Sequence, residues 1–134
     1  MNSSTSSWYD RKVLPRLLDF ACGLSPIAGF DCVVCTYTLC SVRDPSAALA
    51  EMRRVIRPGG RLLFAEHGLA PDASVRKWRR RLEPWWSRMA GGCRLTRDVP
   101  ALLKSAGFTP TYQMGYVARP KSLAYNFWGD ATCP

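Results

Sequence analysis

The sequence predicts an α/β fold, a small sheet of about four strands flanked by helices. Three observations carry this. CVVCTY, at 32–37, is a short apolar run rich in β-branched residues, and it reads as a strand buried on both faces, as in a parallel sheet. RLLFAEH, at 61–67, reads as a second buried strand. An amphipathic helical stripe separates the two, so strand, helix and strand within about forty residues form a βαβ unit with a right-handed crossover.

The elements follow in chain order. Residues 1–7 are rich in Ser, Thr and Asn and predict a disordered tail, leaving 8–134 as a single domain. Between Tyr9 and Cys22, Val13, Leu14, Leu17, Leu18 and Ala21 recur at helical spacing, with Pro15 weakening the early turns and Gly23 stopping the helix. After the first strand, Asp44 is placed to cap a helix whose first residue is Pro45. Ala48, Leu49, Met52, Val55 and Ile56 form its stripe, and Pro58-Gly59-Gly60 ends it. A third helix covers 74–90, with Val75, Trp78, Leu82, Trp85 and Met89 on one side, a kink at Pro84 and a stop at Gly91-Gly92. Thr96 then caps a short helix that runs to Ala106, before Gly107. Tyr112, Met114 and Tyr116, followed by Tyr125 and Phe127, predict two antiparallel strands joined around Arg119-Pro120-Lys121.

With 134 residues, 47% hydrophobic and 22% charged, the chain suits one globular domain. Its net charge of +9 favours anionic partners. VRKWRRRLEPWW, at 75–86, interleaves basic residues with Trp, which fits an anionic membrane surface or a helix packing its Trp residues on the sheet. No readout motif supports nucleic acid. No run approaches a membrane span, the start MNSSTSSWYDRK has no apolar signal core, and the six cysteines are irregularly spaced. These features predict a cytoplasmic protein with reduced thiols, peripheral to membranes if the basic helix binds one.

Sites in such sheets gather beyond the carboxyl ends of parallel strands. Cys40 follows the first strand, Glu66 and His67 close the second, and Cys93 lies in a loop returning toward them. His67, the single histidine, is a candidate general base near neutral pH, with Glu66 beside it. Cys and His together could equally hold zinc or another divalent metal, or be packed thiols beside a hydrogen-bonded imidazole. Cys32 and Cys35 spell CxxC, but residues three apart on a strand point to opposite faces and converge on no metal.

FDCVVCTYTLCSVRDPSAALAEMRRVIRPGGRLLFAEH resembles the second half of class I S-adenosylmethionine-dependent methyltransferases, and more narrowly the methyltransferase-like 7 group. The more specific pieces are LCSV (39–42), EH (66–67), GGCRLTRD (91–98) and YNFWGDA (125–131). The resemblance implies a truncated Rossmann-like methyltransferase fold. It also implies that Cys35, Thr36 and Tyr37 meet the adenosyl group. Cys40 and Cys93, facing the same cleft, and Trp85 are the candidate substrate-pocket residues. The family's strand with a Gly-rich loop is missing: the chain passes from Ala28 through Gly29 to Phe30, as if by internal deletion, and nothing like GxGxG occurs. The strand at 31–37 then becomes an edge, which predicts a homodimer through that edge or through a swapped N-terminal helix. Three functions follow as expectations. One is methyl transfer to a small thiol or lipid-like acceptor. Another is a hydrolase, with or without a metal, using His67, Glu66 and cysteines at a dimer interface. The third is a non-catalytic interaction module.

Overall fold

The computed structural model describes residues 29–120 and 123–134. The predicted tail, the helix at 9–22 and its exchange between copies, and Lys121 lie outside the described residues. In order, the elements are β1 (Phe30–Thr36), α1 (Pro45–Val55), β2 (Ile56–His67), α2 (Ala73–Met89), α3 (Val99–Ser105), β3 (Thr109–Tyr116) and β4 (Tyr125–Thr132). The sheet order is β1-β2-β4-β3. β1 runs parallel to β2, whereas β4 is antiparallel to both β2 and β3. This matches the βαβ unit followed by a hairpin.

Asp44 caps α1 as expected, its Oδ1 accepting from Ala47 N at 3.0 Å. The helix ends earlier than the stripe implied, because Ile56 is already extended and opens β2. Pro58-Gly59-Gly60 lies inside that strand's irregular start, where the register with β1 shifts between Phe30 and Cys32. Two bonds tie this excess to the C-terminal strand: Gly59 N to Cys133 O at 2.9 Å and Cys133 N to Gly60 O at 2.8 Å. Gly59 sits at φ 78, and a Cβ on Gly60 would lie 2.6 Å from Ile56 Cγ2, so both positions favour glycine.

Leu49, Leu62, Phe64, Val99, Leu103, Phe108, Tyr125, Phe127 and Ala131 form the main core. Along β2 the even-numbered side chains face it, and Leu63 on the other face is exposed. β1 therefore departs from the expectation of burial on both faces. Cys35 is buried, but Val34 is 68% exposed, since the described helices share the one core and β1 is an edge strand among the described residues.

Helix α2 departs further. The predicted apolar side points outward: Trp78 is 64%, Trp85 68% and Met89 80% exposed. The inward line is Val75, Arg79, Leu82 and Trp86, with Arg79 fully buried. The helix runs through Pro84 to Met89. Asp98, not Thr96, caps α3, accepting from Ala101 N at 3.0 Å. The Thr96 hydroxyl instead donates to the Glu83 carboxylate of α2 at 2.9 Å.

Candidate functional site

β1 and β2 end side by side, Thr36 opposite Ala65. Directly after β1 the backbone reverses at Tyr37, which takes the left-handed φ of 47 that non-glycine residues rarely adopt. The following segment folds across the end of β2, and Glu66 holds it there. Glu66 is fully buried. Its Oε1 accepts from Thr38 N at 2.8 Å, Leu39 N at 3.0 Å and Cys35 Sγ at 3.4 Å, and its Oε2 accepts from Cys40 N at 3.0 Å. Hydrogen bonds to a buried charge are strong, about 1.5–3 kcal/mol each, so this carboxylate is the anchor of the turn.

The segment 91–98 closes the other side. Arg94 N donates to Cys40 O at 2.7 Å. The Arg97 guanidinium donates to Leu39 O, and to Arg43 O at 3.5 Å. Arg79 of α2 donates to Gly68 O, to Leu95 O at 2.9 Å and to Tyr125 O at 3.4 Å, stitching the end of β2 to this segment and to β4.

Between these walls Cys40 and Cys93 share a hydrogen bond, Sγ to Sγ 3.3 Å, and His67 Nδ1 lies 3.4 Å from Cys93 Sγ. The bond between the two thiols, with burial, pushes Cys40 above the usual thiol range. The same bond pulls Cys93 down to about 7, against the opposing effect of its burial. The pair thus favours a thiolate on Cys93. Cys35, by contrast, is driven up by burial and by the Glu66 charge beside it. The Tyr37 ring lies 4.7 Å from that of His67, centroid to centroid, and Trp86 meets His67 edge-on at 6.4 Å. The Trp86 indole N–H is buried beside the pair and adds to the lowering of Cys93.

Cys40, Glu66, His67 and Cys93, expected in one cleft, do meet at one place. Three details need correction. Glu66 offers no free oxygen: both atoms are taken by backbone N–H groups, so the geometry makes it an anchor rather than an acid or base. Cys35 turns inward to Glu66, leaving Thr36 and Tyr37 as the exposed residues of that strand end. Trp85 points to solvent, and Trp86 takes the place beside the cluster. Cys32 and Cys35 lie on opposite faces, one exposed and one buried, as strand geometry requires. Sequence reasoning missed Arg79, Arg97 and the N–H groups of 38–40. The one available signal was spacing: 75, 79, 82 and 86 is as good a helical line as 75, 78, 82 and 85.

The comparisons with known proteins agree with this architecture. A family model described as a methyltransferase domain matches residues 16–113. Thiol S-methyltransferase TMT1B of Rattus norvegicus is 43% identical over 83 residues, 61% of this chain and 34% of that protein. The TMT1B of Homo sapiens is 46% identical over 80 residues, 59% of this chain and 33% of that protein. The chain thus spans about a third of the length of these relatives. Among solved structures, a SAM-dependent methyltransferase from Methanosarcina mazei superimposes with TM-score 0.61 at 21% identity, covering 84% of this chain and 63% of that one. A Burkholderia thailandensis 1,6-didemethyltoxoflavin-N1-methyltransferase with bound S-adenosylhomocysteine gives 0.56 at 19% identity, covering 84% and 48%. The family model covers well over half of the sequence, and the parallel pair with its antiparallel hairpin agrees with the fold of these structures: this chain belongs to the methyltransferase domain family.

Proposed function

We propose that the chain serves S-adenosylmethionine-dependent methyl transfer to a small thiol, with the carboxyl ends of β1 and β2 as the acceptor side of the site. The observation that carries this reading is the half-buried His67, set between the Tyr37 ring and the Cys40–Cys93 pair at the mouth of the parallel strands. The relatives described as thiol S-methyltransferases support the acceptor class.

Thr36 and Tyr37 fit one side of an adenosyl group, because the reversal at Tyr37 leaves both side chains exposed beyond the strand end. Bound S-adenosylmethionine supplies a methyl group activated on a sulfonium. The chain's residues then hold the acceptor and move its proton. A thiol reacts as its thiolate. In the metal-free chain, His67 takes the S–H proton at the ring nitrogen that does not face Cys93. Trp86 and Leu95 keep the adjoining thiols dry. β1 is an edge strand among the described residues, and that edge gives a second copy a place to add the opposing wall, which the sequence does not supply as a glycine-rich loop.

The test is calorimetric titration with S-adenosylmethionine, followed by transfer of labelled methyl to a small alkyl thiol. The expected result is binding, turnover, and a loss of turnover of about 10²-fold or more in His67→Gln with cofactor affinity retained. A folded chain that binds no S-adenosylmethionine in any oligomeric state would sink the reading.

A further inference from the structure

We propose that Cys40, His67 and Cys93 form a binding site for a single thiophilic divalent cation of the zinc class. Their ligand atoms all lie within 4.8 Å of one another. Tetrahedral zinc with Zn–S of about 2.3 Å and Zn–N of about 2.0–2.1 Å sets its sulfurs about 3.8 Å apart and sulfur from nitrogen about 3.6 Å apart. The observed separations are 3.3 Å between the sulfurs and 3.4 Å from Cys93 Sγ to His67 Nδ1. Admitting the metal therefore takes shifts of about half an ångström or less along these two edges, within side-chain adjustment.

The surroundings favour this chemistry over its competitors. The donors are two thiols and one imidazole, which suit zinc-class ions, whereas magnesium and calcium require oxygen. The nearest carboxylate, Glu66, has both oxygens committed to backbone N–H groups. Its role is one step removed: Glu66 Oε2 accepts from Cys40 N while Arg94 N donates to Cys40 O, so the ligand's backbone is fixed from both sides. Leu95, Trp86 and Leu123 form an apolar wall around the sulfurs. The three ligands come from three separate elements: the turn after β1, the end of β2 and the loop after α2. Such a set is not preformed in the unfolded chain, so stoichiometric tetrahedral binding reports the folded site. Three protein ligands leave a fourth tetrahedral position for water or an incoming ligand, the arrangement of catalytic rather than structural zinc. Ligation and proton uptake are alternative states of His67.

The inference does not depend on methyl transfer, and its test does not read activity. The reduced full chain, stripped by chelation, is titrated anaerobically with cobalt(II), then with zinc(II) as competitor. We expect one equivalent of cobalt, a thiolate-to-cobalt charge-transfer band with tetrahedral ligand-field absorption, and displacement by one equivalent of zinc. Cys40→Ser and Cys93→Ser should each lose about half of the charge-transfer intensity, His67→Gln should keep that band but shift the ligand-field bands, and Cys32→Ser should change neither. The proposal is overturned if the reduced wild-type chain takes up no stoichiometric cobalt, whatever the variants do. It is also overturned if the spectrum survives unchanged in both Cys40→Ser and Cys93→Ser.

Discussion

Replacing Glu66 by Gln tests the idea that one buried carboxylate builds the site. Its Oε1 serves Thr38 N, Leu39 N and the Cys35 thiol, while its Oε2 serves Cys40 N alone. The amide oxygen of Gln should keep the more crowded position, which puts the NH₂ group against Cys40 N, donor to donor. One bond to a charged acceptor is lost, worth about 1.5–3 kcal/mol, and the remaining three lose their charge assistance, roughly half their strength. A neutral amide is cheaper to bury than a carboxylate, which offsets part of this. The expected net loss is about 2–3 kcal/mol, against a total of roughly 5–15 kcal/mol for a domain. Urea unfolding with an unchanged slope would measure it. Hydrogen exchange gives the sharper readout: protection should fall most at Cys40 N and less at Thr38 and Leu39. A loss below about 0.5 kcal/mol, or equal deprotection at all three amides, would refute the anchoring role, since surface changes alone reach that size.

Other expectations concern the frame. Arg79→Lys keeps the charge but cannot reach three carbonyls with one ammonium; urea unfolding should show a loss of about 2–4 kcal/mol. Gly129→Ala would place a Cβ 2.2 Å from Thr111 O, a backbone clash between β4 and β3, and should cost about 3 kcal/mol or more, whereas Gly115→Ala meets Trp128 Cη2 at 3.6 Å and should shift the midpoint little. Trp85→Ala should leave thermal stability within about 0.5 kcal/mol, while Trp86→Ala should cost about 2 kcal/mol, reporting which face of α2 packs. Partial burial and the Asp72 carboxylate push the Tyr116 phenol up to about 12. A raised folded value favours the protonated phenol, so its stabilisation is fully present below the ordinary 10.0 and is lost as pH rises through about 12. Burial and the Asp72 charge raise Tyr125 as well, so spectrophotometric titration should find late-ionising tyrosine absorbance that moves down in Asp72→Asn.

What the sequence could reveal followed from periodicity and from strand ends. CVVCTY and RLLFAEH stood out as strands, and residues just after parallel strands gather by geometry, which is why Cys40, His67 and Cys93 could be placed together. Side-chain direction was less legible. Two adjacent lines on α2 have the same period, and hydrophobicity alone chose the one with Trp78 and Trp85. The chain instead turns Arg79 inward, where it donates to carbonyls at the ends of β2 and β4 and in the 95 segment. That role arises from tertiary structure and leaves no periodic trace. Glu66 is similar: a carboxylate at a strand end looks reactive until the three N–H groups that consume it are in place. Thr96 lost the capping role to Asp98 for a local reason, since Asp98 sits directly before Val99-Pro100 and its short carboxylate reaches Ala101 N.

The central strand pair has a consequence for biosynthesis. β2 obtains its second neighbour from β4, with Leu62 opposite Ala131 and His67 opposite Asn126. Every ligand of the cysteine–histidine cluster and the whole parallel pair have been synthesised well before that partner. At about 5–20 residues per second, β2 waits on the order of 3–13 s with an open backbone edge while the hairpin is made. The nascent chain therefore passes through an interval in which its least protected surface is the strand that later sits at the middle of the sheet.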